Sequence, residues 1–412
     1  MDGNMERRAT GGGIGGTIKS SADDFLVEEI ATNGTVLELG RHFSGSEFGD
    51  TSEGGRFTRF VLKKRDWNTV QALKAIANKL GRGIRSIGFA GTKDRTSTSA
   101  QMCSIFEVPP DRLNSVSIKD IEICGAWQSQ SPVKMGDLLG NRFTVKVRGA
   151  SNTGEIGRIS SELNGRFPNY FGEQRFGFRS NNVAIGVDIM KGDLESAALL
   201  YLTDTTNEKN EDAVNARIRL ADERDFGKAI GYFPKYLKYE RSMLDYLSRF
   251  PADYGNALRK LPRSLLLMFV HSVDSYIFNK EVGERVEAGD QALRIGEMVC
   301  RVDTYGFPDY TNVFEYDGEA MPGLFPVGNI VGYDSQINDT ERRILADLGI
   351  GQQDFRVRGM PELNCKGAKR VLIAPFVDFQ YTIGEEVTLR FGLPSGSYAT
   401  VLLDQFMRLS PH

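Results

Sequence analysis

Residues 140–149, GNRFTVKVRG, alternate without a break: Phe143, Val145 and Val147 share one face of an extended chain, Arg142, Thr144, Lys146 and Arg148 the other. A period of two over this length fits a strand with one face in a core and one toward water, and it does not fit a helix. Such a strand needs a sheet around it, and the preceding sequence supplies candidates. TIKSSADDFLVEEI (17–30) reads as strand segments broken by a turn around residues 20–23, and RFTRFVLKKR (56–65) sets Phe57, Phe60 and Val61 among cations. NTVQALKAIANKLG reads as a helix: Asn68 caps it, Val70, Leu73, Ile76, Ala77 and Leu80 form its apolar stripe, and Gly81 stops it. SIGFAG and QMCSIFEV (101–108) return to strand, so the stretch between them is a turn on a rigid mount.

Beyond residue 150 the pattern changes. A helix is expected over about 153–164, and then FPNYFGEQRFGFRS (167–180) packs aromatics, glycines and Arg175 into a tight corner. Residues 192–225 hold nine acids against four bases and read as helical, and residues 263–286 read as one long amphipathic helix. Strand signals resume at KRVLIAPFVDFQY and EEVTLRFGLPSGSYAT. With 412 residues, about two domains are expected. The expected architecture is α+β: a mixed or antiparallel sheet domain over 1–165, resumed at 367–412, and interrupted by a helix-rich insertion over 166–366. Residues 1–16 read as a flexible lead-in.

Several function classes fall away. No window approaches 18 uninterrupted apolar residues, and the polar, glycine-rich start lacks the apolar core of a signal peptide, so a cytoplasmic protein without a membrane span is expected. Cys103, Cys124, Cys300 and Cys365 lie far apart and form no C-x-x-C pair, which argues against zinc and against structural disulfides. His42, His271 and His412 sit in no recognisable catalytic motif. Gly11, Gly13 and Gly16 spell a formal G-x-G-x-x-G, but no strand precedes it and no helix follows, both of which a dinucleotide site needs.

Charge is the stronger clue. The net charge is -3, yet residues 54–95 contain eleven Lys or Arg against Asp66 and Asp94 alone, giving +9 there and -12 for the remainder. So concentrated an excess is the footprint of a phosphate backbone, with Arg56, Arg59, Lys63, Lys64, Arg65, Arg82, Arg85 and Arg95 as candidate contacts. The segment runs into GFAGTKDRTSTSAQ (88–101), where Asp94 stands between Lys93 and Arg95. Neighbouring cations favour the ionised carboxylate, which can act as nucleophile or base. The chemistry such a carboxylate serves most naturally lies at a sugar C1', although a loop salt bridge would use the same residues.

GFAGTKDRTSTSAQ resembles the catalytic loop of the TruD family of pseudouridine synthases, whose catalytic aspartate follows Gly-x-Lys. TIKSSADDFLVEE is similar to that family's N-terminal motif, with Lys19 as its lysine. GNRFTVKVRG resembles its Gly-Asn-x-Phe strand and NYFGEQRFG its Asn-Tyr-Phe-Gly-x-Gln-Arg-Phe-Gly signature. SYIFNK (275–280) and LPSGSYATVLLDQF (393–406) resemble two further segments, in the family's order. The chain departs from the pattern at Thr96 and Ser97, where the family usually has a basic residue and then Ala.

The resemblance implies a pseudouridine synthase catalytic domain interrupted by a TRUD insertion domain, acting on tRNA at uridine 13. Asp94 would be catalytic, paired with Lys19. Phe143 would stack on a flipped uracil. Asn141 and Gln101 would orient base or loop, Lys93 would act beside them, and Arg175 would meet RNA. The insertion would form a second wall of the RNA cleft. No cofactor, metal or protein partner is implied. Two rivals are a non-catalytic tRNA-binding protein on the same fold and a carboxylate glycosidase, for which Asp94 has no paired acid.

Overall fold

The computed structural model describes residues 9–50, 54–289, 292–319 and 321–408, and the chain divides into two compact units. Of the described residues, one comprises those within 9–167, 301–309 and 373–408; the other comprises those within 168–300 and 310–372.

The first unit is built on a mixed sheet. Its strands are β1 (Phe25–Ile30), β2 (Phe57–Arg65), β3 (Ile87–Phe89), β4 (Thr98–Phe106), β5 (Ile121–Ser129) and β6 (Gly140–Val147). A two-stranded pair, β7 (Arg166–Pro168) with β12 (Ile373–Pro375), lies apart from it. β13 (Val377–Ile383) and β14 (Val387–Pro394) complete the large sheet in the order β13-β14-β6-β1-β4-β2-β5, with β3 on β4. β1 runs parallel to β4 and every other pairing is antiparallel. The alternating strand is therefore central, flanked by β1 and β14, and its apolar face is buried as its period requires.

The helix Thr69–Lys79 packs Leu73, Ile76 and Ala77 onto Phe60 and Leu62 of β2, and Asn68 accepts the Val70 amide at its start. Val70 itself points outward, 44% exposed, and Ala72 takes the buried place expected for it. Trp127, Val61, Met102 and Leu37 cover the sheet's other face. The glycine-rich lead-in was expected to be flexible; residues 1–8 lie outside the described residues, but from Ala9 onward it is fixed. Ile14 is buried, its amide donates to the Phe406 carbonyl, and its carbonyl accepts from Ser151. A Cβ on Gly13 would meet the Met407 backbone at 2.7 Å, and Gly16 has φ +87, so these glycines serve packing and a turn. The strand signal of EEVTLRFGLPSGSYAT is met by β14, and a helix, Ala399–Met407, for which no secondary structure was expected, follows it.

The second unit is helix-rich, centred on the 25-residue helix Arg263–Glu287 packed against Asn182–Lys191. It also carries most of a four-stranded sheet, of which the sequence reading signalled only β11: β8 (Met298–Val302), β9 (Pro308–Glu315), β10 (Phe325–Ile330) and β11 (Ala368–Val371), in the order β11-β10-β8-β9. Proline, glycine and asparagine inside FPVGNI conceal β10 from a propensity reading.

Candidate active site

The loop between β3 and β4 is held at nearly every residue from Ala90 to Ser97. Gln101, buried on β4, donates through Nε2 to the Gly91 carbonyl at 3.0 Å, and its Oε1 accepts from Thr69 Oγ1 at 2.9 Å. Thr69 Oγ1 in turn accepts the Lys93 amide at 2.9 Å. The Lys93 side chain turns inward and its Nζ lies 2.8 Å from Glu29 Oε2, both groups almost fully buried. Lys64 Nζ donates to the Asp94 carbonyl at 2.7 Å, and Ser97 Oγ donates to the same oxygen at 2.8 Å. Burial lowers the Lys64 ammonium from its ordinary 10.5 to about 8, with the nearby Asp94 charge acting in the other direction.

On this fixed backbone the Asp94 side chain remains half exposed and meets Lys19, whose Nζ lies 2.7 Å from Oδ2. Lys19 adopts φ +60, a left-handed conformation that a long side chain takes only where its surroundings fix it. The same Nζ stands 4.5 Å from the centre of the Phe25 ring. Phe25 meets Phe143 edge-on at 5.9 Å, and Phe143 stacks on Phe391 at 5.5 Å. Strand register explains this row: Phe143 lies opposite Val27 on β1 and Phe391 on β14. Asn141 is two residues from Phe143 on the same strand face, and its shielded Oδ1 has no hydrogen-bond partner among the described residues. Asp94, Lys19, Phe25 and Phe143 thus form one continuous array, with Asn141 beside it.

The lysine that pairs with Asp94 comes from far upstream, while its neighbour Lys93 is committed to the core. The basic segment is also less free than its linear charge suggests. Arg56 pairs with Glu107, Arg59 with Asp50, Lys63 with Glu122 and Arg65 with Asp23. Arg82 donates to the Glu107 carbonyl. Arg85 and Arg95 are exposed and make no ion pair among the described residues. Arg175, in the other unit, is partly buried with its guanidinium 5.2 Å from the Phe171 ring centre.

Four contributors escaped the sequence reading: Thr69, Ser97, Glu29 and Phe25. Ser97 is one of the two positions at which the loop departs from its usual pattern, and its hydroxyl supplies a bond to the Asp94 carbonyl that alanine would lack. The parity of β2 also assigns Lys64 differently, since Thr58, Phe60, Leu62 and Lys64 share the buried face.

A mixed sheet that presents a lysine-paired aspartate beside a row of phenylalanines, in a chain broken by a helical unit, defines a pseudouridine synthase, an isomerase. The family model described as tRNA pseudouridine synthase D (TruD) matches residues 4–406. Relatives named "Probable tRNA pseudouridine synthase D" include one from Methanosarcina mazei, 31% identical over 97% of this chain and 94% of its own. Another, from Thermococcus sibiricus, is 33% identical over 96% of each chain. The crystal structure of a tRNA pseudouridine synthase D from Methanosarcina mazei superposes with a TM-score of 0.76 at 29% identity, covering 98% of this chain and 96% of that one. The chain belongs to the TruD family of tRNA pseudouridine synthases.

Proposed function

We propose that this protein converts uridine 13 of tRNA to pseudouridine in the cytoplasm, with Asp94 as the catalytic group. The reaction breaks the N1–C1' bond and joins C1' to C5; C5 loses its proton and N1 gains one, so no redox partner is needed. A stacked base is out of reach of any side chain, so the uridine must leave its stack. The single observation carrying this reading is Asp94 itself: its backbone is bound from two side-chain donors, yet its carboxylate is half exposed and, among the described residues, meets only Lys19. A purely structural salt bridge would not need so rigid a mount. Lys19 holds the carboxylate aimed, Phe143 offers an aromatic edge to the uracil, and the unpaired Asn141 Oδ1 offers it an acceptor. Gln101, Lys93 and Lys64 position the loop. Asp94 then attacks C1' or C6, or removes the C2' proton.

Phosphates are met by Arg85 and Arg95 and by those paired cations that exchange a carboxylate for RNA. The helix-rich unit is the family's insertion domain, and Arg175 belongs to its RNA-facing surface. The test is incubation with unmodified tRNA transcripts, followed by chemical mapping of pseudouridine. Product at position 13, lost when that uridine is replaced by cytidine, is expected. Absence of product in every transcript, or product elsewhere only, refutes the assignment.

A further inference from the structure

The helix Arg263–Glu287 carries His271 and Asp274 one turn apart, and the chain following the short turn Pro361–Leu363 brings Cys365 against them. His271 Nδ1 lies 2.9 Å from Asp274 Oδ2 and 3.7 Å from Cys365 Sγ, and one donor atom from each residue lies within 4.8 Å of the others. Asp274 and Cys365 are buried, while the His271 side chain is 40% exposed. Ser275 Oγ sits 3.1 Å from the second Asp274 oxygen, and Cys365 Sγ is 3.5 Å from the Leu363 carbonyl.

A Cys-His-Asp nucleophile would place Cys and Asp on opposite ring nitrogens so that the imidazole relays a proton. Here both approach Nδ1, which removes that reading. Convergence of sulfur, ring nitrogen and carboxylate oxygen on one point is metal-site geometry. Tetrahedral zinc, with Zn–S of about 2.3 Å and Zn–N and Zn–O of about 2.0–2.1 Å, separates S from N by about 3.6 Å and N from O by about 3.3 Å. The observed 3.7 and 2.9 Å lie close to these, the second shortened by the hydrogen bond that now occupies it.

We propose that His271 Nδ1, Asp274 Oδ2 and Cys365 Sγ form a binding site for a zinc-class divalent cation, with its fourth position open toward the exposed side of His271. A thiolate with an imidazole selects zinc or cobalt over magnesium and calcium. Ser275 fixes the carboxylate as an outer partner. Binding displaces one proton from Cys365 Sγ and one from His271 Nδ1, both released to solvent, and nothing is oxidised. Arg175 acts on Asp274 electrostatically, so the metal competes with a positive charge already present. The metal would pin the segment at Cys365 to the unit's longest helix, independently of the isomerase chemistry. The spacing of the cysteines gave no hint of such a site, because only one cysteine contributes.

The test is titration of the metal-stripped, reduced full-length protein with Co(II). One equivalent should raise a thiolate-to-cobalt charge-transfer band in the near ultraviolet, which Zn(II) abolishes. Cys365→Ser should remove the band, His271→Gln should weaken cobalt binding by at least about 100-fold, and Ser275→Ala by about 10–100-fold. No band in the wild type overturns the proposal, as does a band that survives Cys365→Ser. Should Cys365→Ser not fold, unchanged affinity in His271→Gln, whose side chain is partly exposed, overturns it equally.

Discussion

Replacing Lys64 by methionine should separate activity from stability. Lys64 is buried, and the drop of its ammonium from 10.5 to about 8 corresponds to about 3 kcal/mol favouring the neutral amine relative to water. A charged donor to a carbonyl returns about 1.5–3 kcal/mol, and the Asp94 carbonyl keeps Ser97 Oγ as a second donor. Methionine fills similar volume without the charge, so the two effects nearly offset. Global stability should change by less than about 1.5 kcal/mol. Catalysis should not be spared, because the backbone atom released belongs to Asp94 itself. A displacement of about 1 Å at a reacting group costs up to about 100-fold in rate. In single-turnover assays with tRNA tritiated at uridine C5, Lys64→Met should release tritium about 10–100-fold more slowly, with tRNA affinity within about threefold and little change in melting temperature. A wild-type rate with unchanged melting temperature would refute the positioning role. A rate loss matched by a stability loss above about 3 kcal/mol would make Lys64 a residue of the core. The same depression makes the sign of the pH effect definite: the unfolded chain holds the Lys64 proton up to about 10.5 and the folded chain only to about 8, so this group adds stability as pH rises through that interval.

Asp94→Asn should abolish tritium release and leave tRNA affinity within several-fold; turnover above a few per cent of wild type would remove Asp94 from the chemistry. Phe143 should be tested as leucine, since truncating a buried phenylalanine to alanine costs about 3–5 kcal/mol on its own; Phe143→Leu should lower the rate more than the affinity, and the reverse split would place it away from the uracil. Neutralising Arg85 and Arg95 together should reduce the slope of log K against log salt by about 1.4–1.8, at about 0.7–0.9 for each phosphate contact, whereas Lys63→Met should change it less because Glu122 already holds that ammonium. Asp24, buried against Arg148, is held down at about 2 by the guanidinium, so its stabilisation is complete above about 4 and is lost as pH falls toward 2. Arg148→Met should flatten that acid limb of the unfolding curve, by less than the full depression of Asp24 implies because Arg148 is itself well exposed.

The parts of this fold written as periodicity were legible in the chain. The alternation of β6, the cap at Asn68 and the glycine-bounded loop each follow from local sterics and burial, and each appears where the pattern put it. The Lys19–Asp94 pair was legible too, though only through a resemblance, because 75 residues separate the partners and no local rule brings them together. The C-terminal helix and β10 were not, since glycine and proline in their neighbourhood contradict the states their packing imposes.

The charge of residues 54–95 illustrates what a linear window cannot weigh. Each strand sends neighbours to opposite faces, so Lys64 enters the buried face with Phe60 and Leu62 while Lys63 and Arg65 leave on the other. Lys63 then lies directly opposite Glu122 across the β2–β5 register, and Arg65, Arg59 and Arg56 reach acids at positions 23, 50 and 107. All four of those acids lie outside the window: a sheet folds distant carboxylates onto its cations as readily as it folds apolar residues together. The excess is divided into cations paired at the rim, two buried cations, Lys64 and Lys93, that fix the Asp94 loop, and a remainder that makes no ion pair among the described residues, to which Lys74, Lys79, Arg85 and Arg95 belong. It is this remainder, rather than the count of +9, that is free of carboxylate partners among the described residues. A paired arginine must give up a carboxylate before it can take a phosphate, and its contribution to affinity is smaller by the energy of the pair it leaves.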